Sequence, residues 1–272
     1  MSGKKPSRSM YELSIENFDL DQIAQSGQIF RWKAIDPKGY ETAYEIPAFN
    51  KRLRIYQSGR DLAVSCSEKE WMSIWYSYFD METDYNSILD KIHETKDEFL
   101  ISASEQGSGI RILRQDLWEM IITFMISQNN NIPRIRNSVE KICQRCNKNG
   151  DFPKSGEIDV RIFDDASLGL GYRAPYLKEM CKYAKAHPHF TDELKDMSYA
   201  EAFDTLLNFR GIGKKVAGCI CLFGLHHIDA FPIDTHIKKV LDTYYPHGFD
   251  PKPYEGFAGI VQQYMFYADY KK

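Results

Sequence analysis

The chain has 272 residues, 43% hydrophobic and 27% charged, enough to build a substantial core in one large or two packed domains. No run approaches the roughly 20 apolar residues of a membrane span and no signal-peptide pattern opens the chain, so an intracellular, soluble protein without a membrane partner is expected. The formal net charge of −3 excludes a generally basic nucleic-acid binder, and any DNA-binding role must rest on particular residues, since exposed charge is felt over only about 8 Å at physiological salt.

Residues 1–10 are polar and are expected to form a disordered tail. From about 11 to 67, apolar and polar residues alternate in FRWKAIDPKGYETAYEIP and KRLRIYQSGRDLAVSC. Turn chemistry at Pro37-Lys38-Gly39 and Ser58-Gly59-Arg60-Asp61 breaks the pattern, which predicts antiparallel strands. The period changes near residue 69. EWMSIWYSYF, LWEMIITFMI, IRNSVEKIC, YLKEMCKYAKA, AFDTLLNF and VAGCICLFGL all carry helical spacing, and EGFAGIVQQYMFYADY closes the chain as one more helix. The expected fold class is α+β, with an antiparallel β-rich domain over 11–105, a mainly helical domain over 106–250 and a C-terminal helix over 251–272. Of the six cysteines, Cys143 and Cys146 form a lone C-x2-C with no second pair at zinc spacing. They read as reduced thiols, and the four-cysteine run that would hold an iron–sulfur cluster near the C-terminus is absent.

LLNFRGIGKKVAGCICLFGL (206–225) is the most informative segment. An apolar helix ends near Phe209, Gly211-Ile212-Gly213 makes a tight turn, and a second apolar helix starts near Lys214. Amides of such a turn point outward and can bind a phosphate without reading sequence. Lys214 and Lys215 stand in the first helical turn, where the dipole disfavours an ammonium and so favours the neutral, nucleophilic amine. Neighbouring helical residues point about 100° apart, so only one lysine can face a given pocket, and composition does not say which. In AFPIDTHIKKVL (230–241), Asp234 holds an N-cap position and can also face a cleft, where it would stabilise developing positive charge.

G-I-G-K-K-V-A-G-C followed by P-I-D-T-H closely resembles the helix–hairpin–helix glycosylase superfamily, and within it the 8-oxoguanine DNA glycosylase/AP lyase family. S-G-Q-I-F-R-W (26–32), I-S-Q-N-N-N-I-P-R-I (126–135), L-G-L-G-Y-R-A (168–174) and F-A-G-I-V-Q-Q-Y-M-F-Y-A-D (257–269) resemble further blocks of that family, in order along the chain. The departures are Pro133 within the Asn-rich turn and Phe209-Arg210 at the start of the hairpin.

The resemblance implies that the helical domain is a helix–hairpin–helix glycosylase domain whose last helix closes the base pocket. It makes Lys215 the nucleophile and Asp234 the catalytic carboxylate. The lesion base would be held by the Gly27 carbonyl, Phe266, Cys219 and Gln262. Asn129 would fill the space of the extruded nucleotide, Tyr172 would wedge beside the orphaned base, and Arg134 and Arg173 would donate to the estranged cytosine. Gly211, Gly213 and His236 would contact the DNA backbone. The implied partner is double-stranded DNA carrying 8-oxoguanine opposite cytosine, bound by a monomer. No metal or organic cofactor is required for amine chemistry, though a structural monovalent or divalent cation would suit the hairpin carbonyls. A different lesion specificity on this fold and a non-catalytic DNA-binding module remain as alternatives. The missing cysteine cluster argues against the endonuclease III group, and the lysine–aspartate pair argues against the binding module.

Overall fold

A computed structural model describes residues 10–271. The expected tail therefore falls outside the described residues as far as 9, while Met10 packs against Ala43, Tyr56 and Ala63. Five antiparallel strands follow: β1 (Tyr11–Ser14), β2 (Lys33–Ala34), β3 (Thr42–Ala48), β4 (Lys51–Ser58) and β5 (Asp61–Val64), in the order β1-β5-β4-β3-β2. Register aligns Ile46 with Leu53 and Ile55 with Val64, so their side chains share one face. That face is buried with Leu62, Trp32, Trp71, Trp75 and Phe79. Phe49 and Asn50 join β3 to β4 with both residues at positive φ, a turn that follows the sheet's twist.

The expectation of strands throughout 11–67 is corrected at one place. Leu20–Gln25 is a helix, α1, begun by Asp19, whose carboxylate accepts from the Gln22 amide at 2.9 Å. Its Leu20 and Ile23 enter the sheet's core, so a helix of six residues sat unnoticed inside a stretch of alternation. Two short helices, α2 (Glu68–Glu70) and α3 (Tyr76–Tyr78), flank a π-helical turn at Trp71–Trp75 that buries both of its tryptophans under the sheet.

The remaining helices are α4 (Tyr85–Glu94), α5 (Glu98–Gln106), α6 (Leu117–Ser127), α7 (Ile132–Cys146), α8 (Ala174–Ala186), α9 (Phe190–Lys195), α10 (Tyr199–Leu207), α11 (Lys214–Phe223), α12 (Thr235–Tyr244) and α13 (Ala258–Tyr270). They share a second core. Tyr85, Ile88, Ile92 and Leu100 of α4 and α5 belong to it, as does Phe30, while Leu113 returns to the sheet's core; for the rest, packing changes between Phe79 and Tyr85, ahead of the division expected at 105. The reason is that α5 packs against α13, the last helix, across the whole length of the sequence between them. α13 is buried on all sides from Ala258 to Asp269, which is why its sequence lacks a polar face. Among the described residues, no helix is long and apolar enough to cross a membrane.

Candidate active site

A cleft of about 630 Å3 opens where the Gly27 turn, the Asn-rich turn between α6 and α7, the start of α11, the start of α12 and the end of α13 converge. Lys215 and Asp234 both line it. Helix geometry separates the two lysines: Lys215 is half-buried in the cleft wall, whereas Lys214 is exposed and absent from the lining. The Lys215 ammonium lies 5.4 Å from the centroid of the Phe124 ring, whose face stabilises a cation. No acidic residue occupies the first turn of α11.

α11 approaches the loop before α12 closely, because a Cβ at Gly218 would stand only 3.1 Å from the Pro232 ring. That approach brings Asp234 to the same wall as Lys215. One Asp234 oxygen accepts from the Ile237 amide at 2.9 Å and caps α12; among the described residues the other accepts no hydrogen bond, so capping and facing the cleft are compatible. Cys219 follows Lys215 by one helical turn. Burial pushes its thiol up, more than the Lys215 charge pulls it down, so it stays a neutral thiol.

Gly27 takes φ +78, and a Cβ there would meet the Phe266 ring at 2.8 Å. Both conformation and space therefore demand glycine. Its turn is pinned by Gln28, fully buried, whose amide donates to the Arg111 carbonyl at 2.8 Å and accepts from the Leu113 amide at 2.9 Å. Phe266 lines the cleft with Tyr270 stacked on it at 5.8 Å and His236 edge-on at 5.0 Å. Asp269 holds His236 through Nδ1 at 2.8 Å and Lys239 at 2.7 Å. Burial raises the Asp269 carboxyl, but the bonds to Lys239 and His236 outweigh it and hold it below the ordinary range.

Cys219 and Gln262 do not reach the open cleft. Both are buried, and the Gln262 amide donates to the Pro232 carbonyl at 3.1 Å while its oxygen accepts from Gln263 at 3.0 Å. Asn129 lies exposed on the cleft rim at φ +45. Arg134 is exposed on the first turn of α7, behind the Asn131 cap, whereas Arg173 is buried with its donors on main-chain carbonyls. Tyr172 is exposed beside the Asn-rich turn and outside the cleft lining. In the hairpin, Gly211 takes φ +87, and a Cβ there would strike the Tyr176 ring at 2.5 Å; Gly213 is exposed as the cap of α11.

Residues that sequence reasoning passed over also shape the site: Phe30, Phe124, Lys238 and Tyr270 line the cleft. Phe30 belongs to the SGQIFRW block and was within reach. Phe124 and Tyr270 sit in apolar helices where nothing separates a core ring from a cleft ring.

An amine and a carboxylate on neighbouring helix starts, behind a glycine hairpin and beside aromatic rings, define the chain as a helix–hairpin–helix protein with a cleft at the hairpin. Residues 10–121 match the family described as 8-oxoguanine DNA glycosylase, N-terminal domain. The N-glycosylase/DNA lyase of Saccharomyces cerevisiae is 30% identical over 253 residues, covering 81% of this chain and 66% of that protein. The Arabidopsis thaliana N-glycosylase/DNA lyase OGG1 is 28% identical, covering 80% of this chain and 64% of its own length, so the chain spans just under two thirds of these curated relatives. The crystal structure of the Clostridium acetobutylicum 8-oxoguanine glycosylase/lyase, in complex with double-stranded DNA with cytosine opposite 8-oxoguanine, is 30% identical with a TM-score of 0.84 and covers 96% of this chain and 95% of that one. The chain belongs to the 8-oxoguanine DNA glycosylase family.

Proposed function

We propose that this chain is a bifunctional DNA glycosylase and AP lyase that excises 8-oxoguanine opposite cytosine from duplex DNA, as part of base excision repair. The observation that carries the reading is Lys215, half-buried in the cleft with Asp234 on the facing helix start. The glycosidic bond is hidden in a stacked duplex, so the nucleotide must first be extruded. The neutral Lys215 amine attacks C1′ as the bond from C1′ to the base breaks, and the base leaves with the electron pair and takes up a proton. Asp234 stabilises the oxocarbenium character of that transition state. The amine adduct opens to an imine, loss of a C2′ proton follows, and the 3′ phosphate departs by β-elimination.

8-Oxoguanine differs from guanine at N7, which carries a hydrogen only in the lesion. The Gly27 carbonyl accepts from that N7–H and repels the lone pair of guanine, a polar discrimination a hydrophobic pocket cannot match. Phe266 stacks on the base. Cys219 and Gln262 would meet it from the buried side of the cleft, which requires Gln262 to exchange its present partners for the Watson–Crick edge. Arg134 and Arg173 donate to the estranged cytosine, which requires Arg173 to exchange its main-chain partners Gln128 and Asn129 for the base; Asn129 fills the gap, and Tyr172 wedges beside it. Gly211 and Gly213 let hairpin amides approach a phosphate, and His236, oriented by Asp269, contacts another. The hairpin carbonyls of Gly211 and Ile212 accept no backbone hydrogen bond among the described residues. A monovalent or divalent cation held there would brace the turn and take no part in the reaction.

Duplexes labelled on one strand and carrying single lesions test the reading. The expected result is preferential release of 8-oxoguanine, strand nicking, and a protein–DNA adduct on borohydride reduction. Release of an alkylated purine or oxidised pyrimidine in preference to 8-oxoguanine would overturn it.

A further inference from the structure

We infer that Ile233 packs on the deoxyribose of the extruded nucleotide and keeps water from the Lys215–Asp234 pair; the inference rests on the excision reading above. Ile233 lines the cleft next to Asp234 and is 54% exposed, although its side chain is wholly apolar. The ordinary work of an apolar residue just before a helix cap is to staple onto the fourth residue of the helix. Asp234 caps α12, so that fourth residue is Lys238, which is itself exposed, and the staple is not made. Ile233 therefore forgoes the free energy of burial in the protein alone, and recovers it only when something covers the cleft wall.

The backbone on both sides of Ile233 is fixed. Pro232 is buried with its ring against Gly218 of α11, where an added Cβ would meet it at 3.1 Å, and its carbonyl accepts from the Gln262 amide of α13 at 3.1 Å. Asp234 is held by the Ile237 amide at 2.9 Å. Three helices thus present one uncovered aliphatic group at the wall that carries the amine and the carboxylate. A deoxyribose offers C–H faces of matching character, and it is the part of the nucleotide that must lie against Lys215 and Asp234 when C1′ is attacked. Covering Ile233 with that ring closes the same wall to solvent. The Asp234 charge then acts on the transition state through a lower local dielectric. The imine is also shielded from hydrolysis, in which water supplies the aldehyde oxygen, the carbon–nitrogen bond breaks, and both protons of the water end on Nζ. That side reaction leaves an abasic site on an intact strand, so shielding favours loss of the C2′ proton and nicking.

The test compares wild type with Ile233→Val, Ile233→Thr and Ile233→Ser in single-turnover assays on 8-oxoguanine opposite cytosine, with released base and nicked strand counted separately. Val and Thr share a shape and differ by a hydroxyl in place of a methyl. Ile233→Thr and Ile233→Ser should slow base release by about tenfold and lower the nicks per base released by about threefold, with thermal unfolding and binding to unmodified duplex unchanged. Ile233→Val should stay near wild type in both readouts. A duplex carrying a tetrahydrofuran analogue keeps a sugar ring without a base, and it should bind Ile233→Ser about fivefold more weakly than wild type. Wild-type rate and wild-type nicking ratio in Ile233→Ser would overturn the inference, as would equal losses in Ile233→Thr and Ile233→Val. Wild type that releases no 8-oxoguanine from any duplex would refute the excision reading instead. The tetrahydrofuran duplex then still decides the contact: weaker binding by Ile233→Ser supports it, and equal binding overturns it.

Discussion

Lys214 and Lys215 are chemically identical neighbours, and the reaction proposed for one is closed to the other by the 100° that separates them on a helix. Lys215→Gln should still fold and bind lesion DNA, yet give neither free base nor a borohydride-trapped adduct. Lys214→Gln should keep most activity. A trapped adduct that persists in Lys215→Gln and vanishes in Lys214→Gln would show the roles reversed. Gly27→Ala should be costly beyond its size, since the residue would have to hold φ +78 and displace the Phe266 ring. Excision is expected to fall by at least tenfold, or about 1.4 kcal/mol, with unspecific duplex binding unchanged, and quench-flow measurements on 8-oxoguanine duplexes would show it. The site residues on short motifs were legible because each motif carries its own backbone demand, as in the glycine hairpin and the capping Asp234. The packing of Arg173 was not legible, for the opposite reason. Its partners, the carbonyls of Gln128 and Asn129, lie 45 and 44 residues earlier and have no side-chain signature at all.

At the level of elements, α12 and α13 are joined beside the cleft through Asp269, which holds both His236 and Lys239 of α12. The Asp269 carboxyl sits below its ordinary range, so its contribution is fully present above about pH 4 and is lost as pH falls through its lower folded value. Asp269→Asn should cost about 1 kcal/mol at neutral pH, discounted for the exposed Lys239, and progressively less as the pH falls below about 4. Thermal unfolding followed across that range checks the sign: an equal cost at both ends would deny the ion network its part. The helices themselves were readable from their 3.6-residue period. α1 was not, because six residues give too short a window and the alternation around it dominates. The π turn at Trp71–Trp75 was also hidden, since the sequence WMSIW suits an ordinary helix as well.

For the molecule as a whole, the acid-leaning net charge and the DNA reading are reconciled by local placement. Lys238 is exposed on the cleft rim, Lys214 beside the hairpin and Arg134 on the first turn of α7, while many acids lie in ion pairs elsewhere, such as Glu45 with Arg54 and Asp151 with Arg52. Unspecific duplex binding should weaken as salt rises, and Lys238→Gln should reduce the slope of log K against log salt by about 0.9 if that side chain neutralises one phosphate. A slope unchanged in the variant would remove Lys238 from the interface. The α+β division was legible as a change of period. The assignment of α4 and α5 to the helical core was not, because it depends on α13, the last element of the chain. The contact between Phe266 and Gly27 has a consequence for how such a molecule travels along a genome. The ring lies against the same glycine whose carbonyl, on the excision reading, accepts from the lesion. On that reading every base that enters must shift the ring before it can stack on it, and an intact guanine must do so without an N7–H to offer. Most trials would thus end in rejection before the amine is engaged, which lets a searching protein sample many nucleotides while committing chemistry to few.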